Sequence, residues 1–324
     1  MDSFLRKTAE RAKPLAKRIV PQRLLERIYA AYRKLRGNVR ARKRSRQTTL
    51  TLNDLVADLR QGGISSGEVI VVHSSLSRIG NVSDAAVTVV KALMEAVSPA
   101  GTILMPCYSS SEKVIRDFRE GKLVDLRTAA SGTGMVTETL RDWPGSLRSS
   151  HPFSSVAAWG KYAEHVTAGH QDDPRICHRA SPLAQLLELD GKIVGLGVSL
   201  GPVSFYHVVE DTWDGFPLQL YQEAVELSYI DADGWTVTRE VQQFDPEKSM
   251  NRIDKPGGIW IRDMLTLHLE RRGILRYFTC GQARSWIMEA RPLYDELKRL
   301  AAGGVTIYLT KAQWERMDRR IDFG

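Results

Sequence analysis

Lys192-Ile-Val-Gly-Leu-Gly-Val198, a short glycine-containing loop, then Ser204-Phe-Tyr-His207-Val-Val-Glu210-Asp211: the fold turns on how this stretch is read. The first piece is an apolar run of strand length. The second carries His-x-x-Glu, a spacing that puts both side chains on one face of a helix. A strand feeding through a glycine loop into a helix is the working unit of an α/β sheet, and ligands collect at the carboxyl ends of such strands. Upstream lie Arg148-Ser-Ser-His151-Pro-Phe-Ser-Ser155-Val-Ala-Ala-Trp-Gly160 and Ser181-Pro-Leu, the latter leading to Asp190-Gly191. Five of the seven histidines fall between Arg148 and Asp211, so any histidine chemistry is concentrated here.

Working outward, the same alternation recurs. Thr51-Leu-Asn-Asp54 reads as a capped helix start, and Gly62-Gly63 ends that helix. Glu68-Val-Ile-Val-Val-His73 is a strand of buried type, Asp84 to Val97 a helix, and Gly101-Thr-Ile-Leu-Met-Pro106 the next strand. Helix, strand, helix, strand predicts a parallel crossover. Further on, the pattern predicts helices over 133–140 (with Ser131 as a cap), 162–170, 182–189 and 259–271. It predicts an extended stretch over 150–160 and a strand over 274–280. Residues 283–300 read as a helix containing Pro292, and 305–309 as a last strand. Val225 to Asp231 and Trp235 to Val241 alternate around Asp233-Gly234, a hairpin signal and hence a small antiparallel insertion.

Composition bounds the rest. The chain has 324 residues and is 43% hydrophobic, enough for a substantial core. Three cysteines without paired spacing argue against a disulfide framework and against a zinc site, so no metal is expected. A reducing, cytoplasmic setting is the expectation. Residues 1–48 hold 16 Lys and Arg against 3 Asp and Glu, a net +13, whereas the remainder is net −5. The chain is therefore read as a basic amphipathic helical extension, 1–48, and a mildly acidic body, 49–324. The extension would either pack on a protein surface or lie on an anionic membrane at its inner face. No stacking aromatics interleave its Arg40–Arg46 cluster, which argues against nucleic acid.

The motifs, taken together and in order, resemble the aminoglycoside 3-N-acetyltransferase (antibiotic N-acetyltransferase) family. They are Val72-His73-Ser74-Ser75-Leu76 with Gly80, Gly101 to Pro106, and Ser131-Gly-Thr-Gly134-Met-Val-Thr-Glu138. Arg148-Ser-Ser-His151-Pro152 with Ser155 and Gly160, Ser181-Pro-Leu, Asp190-Gly-Lys192 and Ser204 to Glu210 complete the set. The likeness spans roughly residues 50–300 and leaves 1–48 outside. It implies an α/β/α sandwich with a central mixed sheet, unlike the GNAT acetyltransferases. It also implies transfer of an acetyl group from acetyl-CoA to an amine of an amino sugar.

That reaction needs a base for the amine, because an ammonium is no nucleophile, and histidine titrates in the right range. His207 is the expected base and Glu210 its orienting partner; His151 is the other histidine that could serve. His73, Ser74 and Ser75, between a strand and a helix, are expected to contact CoA, with Arg148 on a phosphate and Ser155 beside it. Asp211 and Asp214 are expected to attract the acceptor's cation. The acceptor is either an aminoglycoside or an amino sugar on a nucleotide or lipid carrier of surface-polysaccharide synthesis. A body that binds CoA without turnover, or a membrane-docked scaffold, is the non-enzymatic alternative.

Overall fold

The computed structural model describes residues 48–98, 100–109 and 111–317. The helices and the membrane contact read into the basic extension lie outside them. The chain divides at Thr48 into two units, the second running from Thr49 onward.

α1 (Leu52–Gln61) opens on a capping box in which the Thr51 and Asp54 side chains each take the other's backbone N–H. It leads into β1 (Val69–Ser74), the short α2 (Leu76–Ile79), α3 (Ala86–Val97) and β2 (Thr102–Pro106). Then come α4 (Ser111–Arg119), α5 (Met135–Arg141), β3 (Leu147–Arg148), β4 (Val156–Gly160), α6 (Ala163–Thr167) and α7 (Gln185–Glu188). The decisive stretch supplies β5 (Lys192–Leu196) and α8 (Tyr206–Thr212). The β6 (Val225–Ile230) and β7 (Thr236–Val241) hairpin follows, then α9 (Ile259–Arg271), β8 (Arg276–Cys280), β9 (Ala283–Glu289), α10 (Ala290–Ala302) and α11 (Lys311–Arg316).

Seven strands form one mixed sheet in the order β3-β4-β2-β1-β5-β9-β8. β1 is parallel to both neighbours, β2 and β5; the outer pairings are antiparallel. The alternation of β1 explains the layers. Val69 and Val71 point into one apolar core, shared with α6 to α10. Ile70 and Val72 point into the other, shared with α1, α3 and α5. The chain leaves β1 for β2 on one side and returns to β5 on the other. The carboxyl end of β1 is thus a point where strand order reverses, the usual place for a ligand in an open α/β sheet. A third, small core under the β6–β7 hairpin holds Val114, Leu126, Phe153, Leu227, Tyr229 and Val241.

Four sequence expectations are corrected. Residues 283–289 form strand β9 rather than the start of a helix, paired with β5 from Lys192↔Glu289 to Gly195↔Trp286. The pairing needs Gly195, where an added Cβ would lie 2.0 Å from the Trp286 ring. Residues 305–309 are irregular, not a strand, and bury Val305, Ile307, Tyr308 and Leu309. The stretch 150–160 is extended only from Val156, because a turn at 152–154 interrupts it. Gly134, not Ser131, precedes α5, while the Ser131 Oγ accepts from Thr133 N–H in the turn before it. Among the described residues no helix is long and apolar enough to cross a membrane.

Candidate active site

A cavity of about 380 Å³ opens at the carboxyl end of β1. β1 contributes Val72, His73 and Ser74; the loop after β2 contributes Tyr108 and Ser109. The β5–α8 junction adds Ser204, Tyr206 and His207, and the segment after β7 adds Gln242 to Phe244. The reversal point and the decisive sequence stretch therefore meet at one cavity.

His207 sits in the first turn of α8. Its Nδ1 is 2.7 Å from Glu210 Oε2, one turn on and 2% exposed. Tyr308 O–H donates to the same oxygen at 3.0 Å. A carboxylate accepts, so Nδ1 carries the proton and Nε2 has its lone pair free in the neutral ring. No described residue hydrogen-bonds Nε2. The ring leans on Phe244 at 4.7 Å between centroids, and Phe244 in turn stacks on Tyr221 at 4.8 Å. The imidazole is fixed at one nitrogen, braced on one face and open at the other nitrogen, as a general base requires.

Two more polar groups on the cavity wall lack partners. His73 Nε2 and Tyr206 O–H are buried with no hydrogen bond; the residues are 8% and 1% exposed. Burial pushes the His73 pKa down to about 4, so this ring is neutral near pH 7. Burial likewise pushes the Tyr206 phenol up. Buried groups of this kind normally find partners, and here both sit on a cavity wall that a ligand would cover.

The remaining expected site residues are placed differently. Arg148 does not wait for a phosphate. Its Nε donates to Ser155 Oγ (2.9 Å), Nη1 to the carbonyls of Leu126 (2.6 Å) and Ala129 (2.5 Å), and Nη2 to that of Cys107 (3.0 Å). Ser155 Oγ also donates to the Cys107 carbonyl, so the pair is a strut between loops and neither residue lines the cavity. Replacing Arg148 by Met strands the Leu126 and Ala129 carbonyls, while that of Cys107 keeps Ser155 Oγ. We expect it to cost about 2–4 kcal/mol in denaturant unfolding while leaving the KM for acetyl-CoA in the folded fraction unchanged. A large KM increase would restore the phosphate role.

His151 is off the cavity as well. Its Nδ1 accepts from Ser154 Oγ (2.9 Å) and its ring stacks on His170 at 4.9 Å. Burial holds its pKa near 4, outweighing the neighbouring Pro174 carbonyl. It braces the turn that carries Phe153 and Ser154 to the cavity and does not itself line that cavity. Asp211 is 5% exposed and faces inward, where Oδ2 accepts from Cys177 N–H and Tyr221 O–H, both at 2.8 Å. Asp214 is exposed in the loop after α8 and does not line this cavity. Ser74 lines the cavity, but Ser75 does not, and its N–H is spent on the Leu196 carbonyl. Cys107 is fully buried and its thiol is pushed up by burial, so it makes no nucleophile. Tyr308, Tyr206, Phe244 and the Arg252–Asp254 pair are the site residues that the sequence reading missed.

Comparison with known proteins completes the picture. The family model for aminoglycoside 3-N-acetyltransferase matches residues 71–302. Aminoglycoside N(3)-acetyltransferase VII of Streptomyces paromomycinus is 30% identical, over 76% of this chain and 89% of its own. Aminoglycoside N(3)-acetyltransferase IX of Micromonospora chalcea is 27% identical, over 76% and 91%. Among solved structures, aminoglycoside acetyltransferase AAC(3)-Xa superposes with a TM-score of 0.68 at 26% identity, over 84% of this chain and 99% of its own. AAC-IIIb, solved as a binary complex with CoASH, superposes at 0.66 and 27% identity, over 76% and 94%. A mixed sheet between helical layers and a matched model over most of the body lead to one conclusion: this chain is an acyltransferase that belongs to the aminoglycoside 3-N-acetyltransferase family.

Proposed function

We propose that the chain transfers the acetyl group of acetyl-CoA to an amine of an amino sugar, with His207 as the general base. The observation that carries this is the unpartnered Nε2 of a ring anchored by Glu210 and Tyr308 on the cavity wall. Acetyl-CoA supplies an activated acyl carbon. His73 and Ser74, at the end of β1, are the residues best placed to hold its thioester end, since a neutral imidazole can donate to a carbonyl oxygen without adding charge. Support for this co-substrate comes from the CoASH complex of AAC-IIIb.

In the transfer, the amine nitrogen bonds to the acetyl carbon and the carbon–sulfur bond breaks. The proton shed by the amine passes to His207 Nε2 and then to the departing thiolate. Glu210 holds the imidazolium that forms meanwhile, and Tyr308 fixes the carboxylate. Because Tyr308 acts only through Glu210, Tyr308→Phe should lower kcat about tenfold with little change in either KM. It should also shift the limb of the kcat–pH profile that belongs to His207, whereas a residue that merely packs would leave the profile in place. Thiol release from acetyl-CoA, measured against a panel of amino-sugar acceptors, tests the proposal. Thiol release that no amine in the panel stimulates would refute it.

A further inference from the structure

Asp211 is a buried acid that the transfer chemistry leaves unused. Its Oδ2 accepts from Cys177 N–H and Tyr221 O–H, both at 2.8 Å, and its Oδ1 is buried with no hydrogen bond. It follows Glu210 directly in α8, and Glu210 is itself buried against His207 and Tyr308. Two ionised carboxyls so close in a buried place repel each other, so one of them keeps a proton more readily. Asp211 is that one. Its Oδ1 is sealed from water without a donor, whereas Glu210 faces an imidazole that can become a cation. Burial and the Glu210 charge accordingly raise the Asp211 carboxyl to about 7. The other groups around it carry little net charge. Cys177 and Tyr221 are kept neutral by burial, as is Tyr308. Arg175, whose Nη1 donates to the Asp211 main-chain carbonyl at 3.0 Å, is paired with Asp173 through Nε at 2.9 Å and Nη2 at 2.7 Å.

Asp211 reaches the His207 ring by two routes. One is contact. The Tyr221 O–H is spent on Asp211, and its ring stacks on Phe244 at 4.8 Å between centroids. Phe244 in turn lies against the His207 ring at 4.7 Å. The other route is charge, across one turn of α8. A positive His207 favours the ionised form of Asp211. Coupling between two protonation sites is reciprocal, so an ionised Asp211 favours a proton on His207 by the same amount. Resting on the reading of His207 as the base, we propose that Asp211 is a positioning residue for it. Asp211 anchors the Tyr221–Phe244 stack that braces the imidazole, and its buried charge, beside that of Glu210, makes Nε2 a stronger proton acceptor. It touches no substrate group; it acts through His207.

The test follows the His207 ring directly. Its Cε1–H signal, identified by its loss in His207→Ala, is titrated by NMR in the ligand-free full chain from about pH 5.5 to 9. In Asp211→Asn the amide oxygen still accepts from Cys177 and Tyr221, so both ties survive and the titrating charge is gone. The midpoint of the ring should fall by about 0.5 to 1 pH unit, and its curve should narrow from two coupled steps to one. The plateau of kcat for acceptor-dependent thiol release should fall about 2- to 10-fold, with the KM for acetyl-CoA within about twofold. A residue that merely ties loop to helix would leave the ring titration where it is. Tyr221→Phe is the second variant. It keeps the ring on Phe244 and removes one donor from Asp211, which favours the protonated acid, so the His207 midpoint should fall again by a smaller amount. A midpoint that stays or rises in Asp211→Asn overturns the proposal; where that variant does not fold, the same result in Tyr221→Phe does. Full turnover in His207→Ala would sink the base assignment instead, and the ring titration would still decide whether Asp211 governs that imidazole.

Discussion

Replacing His207 by alanine should lower kcat for acceptor-dependent thiol release by about two to four orders of magnitude, the usual worth of a positioned base. The affinity for acetyl-CoA should stay within a few-fold. The reasoning is local. His207 is held by one hydrogen bond and one ring face, and its truncation leaves Glu210 bonded to Tyr308 at the far side. The fold should therefore survive, and the Tm should fall by only a few degrees. Glu210→Gln is the companion variant. It keeps the shape and removes the charge that supports the imidazolium, so it should lie between wild type and His207→Ala. If His207→Ala kept full turnover, the base would be elsewhere.

Acid should unfold this protein earlier than its carboxylates alone would demand. His73 and His151 are buried with pKa values near 4, and His170 is pushed well below the ordinary histidine value by the same burial. In the unfolded chain each takes up a proton near pH 6.5. These groups thus add stability that is complete above pH 6.5 and is lost as pH falls towards 4. Asp211 opposes them, because burial raises its carboxyl to about 7. It adds stability below its unfolded value near 3.8, and that stability is lost as pH rises through about 7. With three groups against one, unfolding near pH 5 should take up about two protons net. The urea midpoint should fall clearly between pH 7 and pH 5. A flat midpoint across that range would mean that these histidines are solvated in solution. In His170 the hydrogen bonds fix which nitrogen carries the proton. His170 Nε2 donates to the Ile176 carbonyl at 2.9 Å, so its Nδ1 must accept from Ser149 Oγ at 2.7 Å. A second proton would break that bond.

Much of this was legible in the sequence, and the failures have physical causes. β1, β2, β5 and the β6–β7 hairpin were readable because their apolar runs and turn residues are local signals. His207 and Glu210 were readable because three residues is one helical turn. The spacing that pairs them also misplaces Asp211: neighbours on a helix point about 100° apart, so the residue after Glu210 turns into the core. β9 was missed because Ala283-Arg-Ser-Trp-Ile-Met-Glu289 mixes helix formers with two strand-favouring residues, and only pairing with β5 decides. Tyr308 lies 98 residues from Glu210, and no local pattern announces such a contact. Arg148 was misread because a charged residue beside a serine looks like a phosphate site in one dimension. In three dimensions its donors are already used by carbonyls.

The central claim is that amine, thioester and His207 meet in one cavity, and a crystal of the chain with CoA and a bound amino-sugar acceptor tests it most directly. The acceptor nitrogen is expected within hydrogen-bond reach of His207 Nε2, about 3 Å, and the CoA sulfur in the same cavity beside His73 and Ser74. An acceptor bound with its amine turned away from His207, or a CoA sulfur seated outside that cavity, would contradict it.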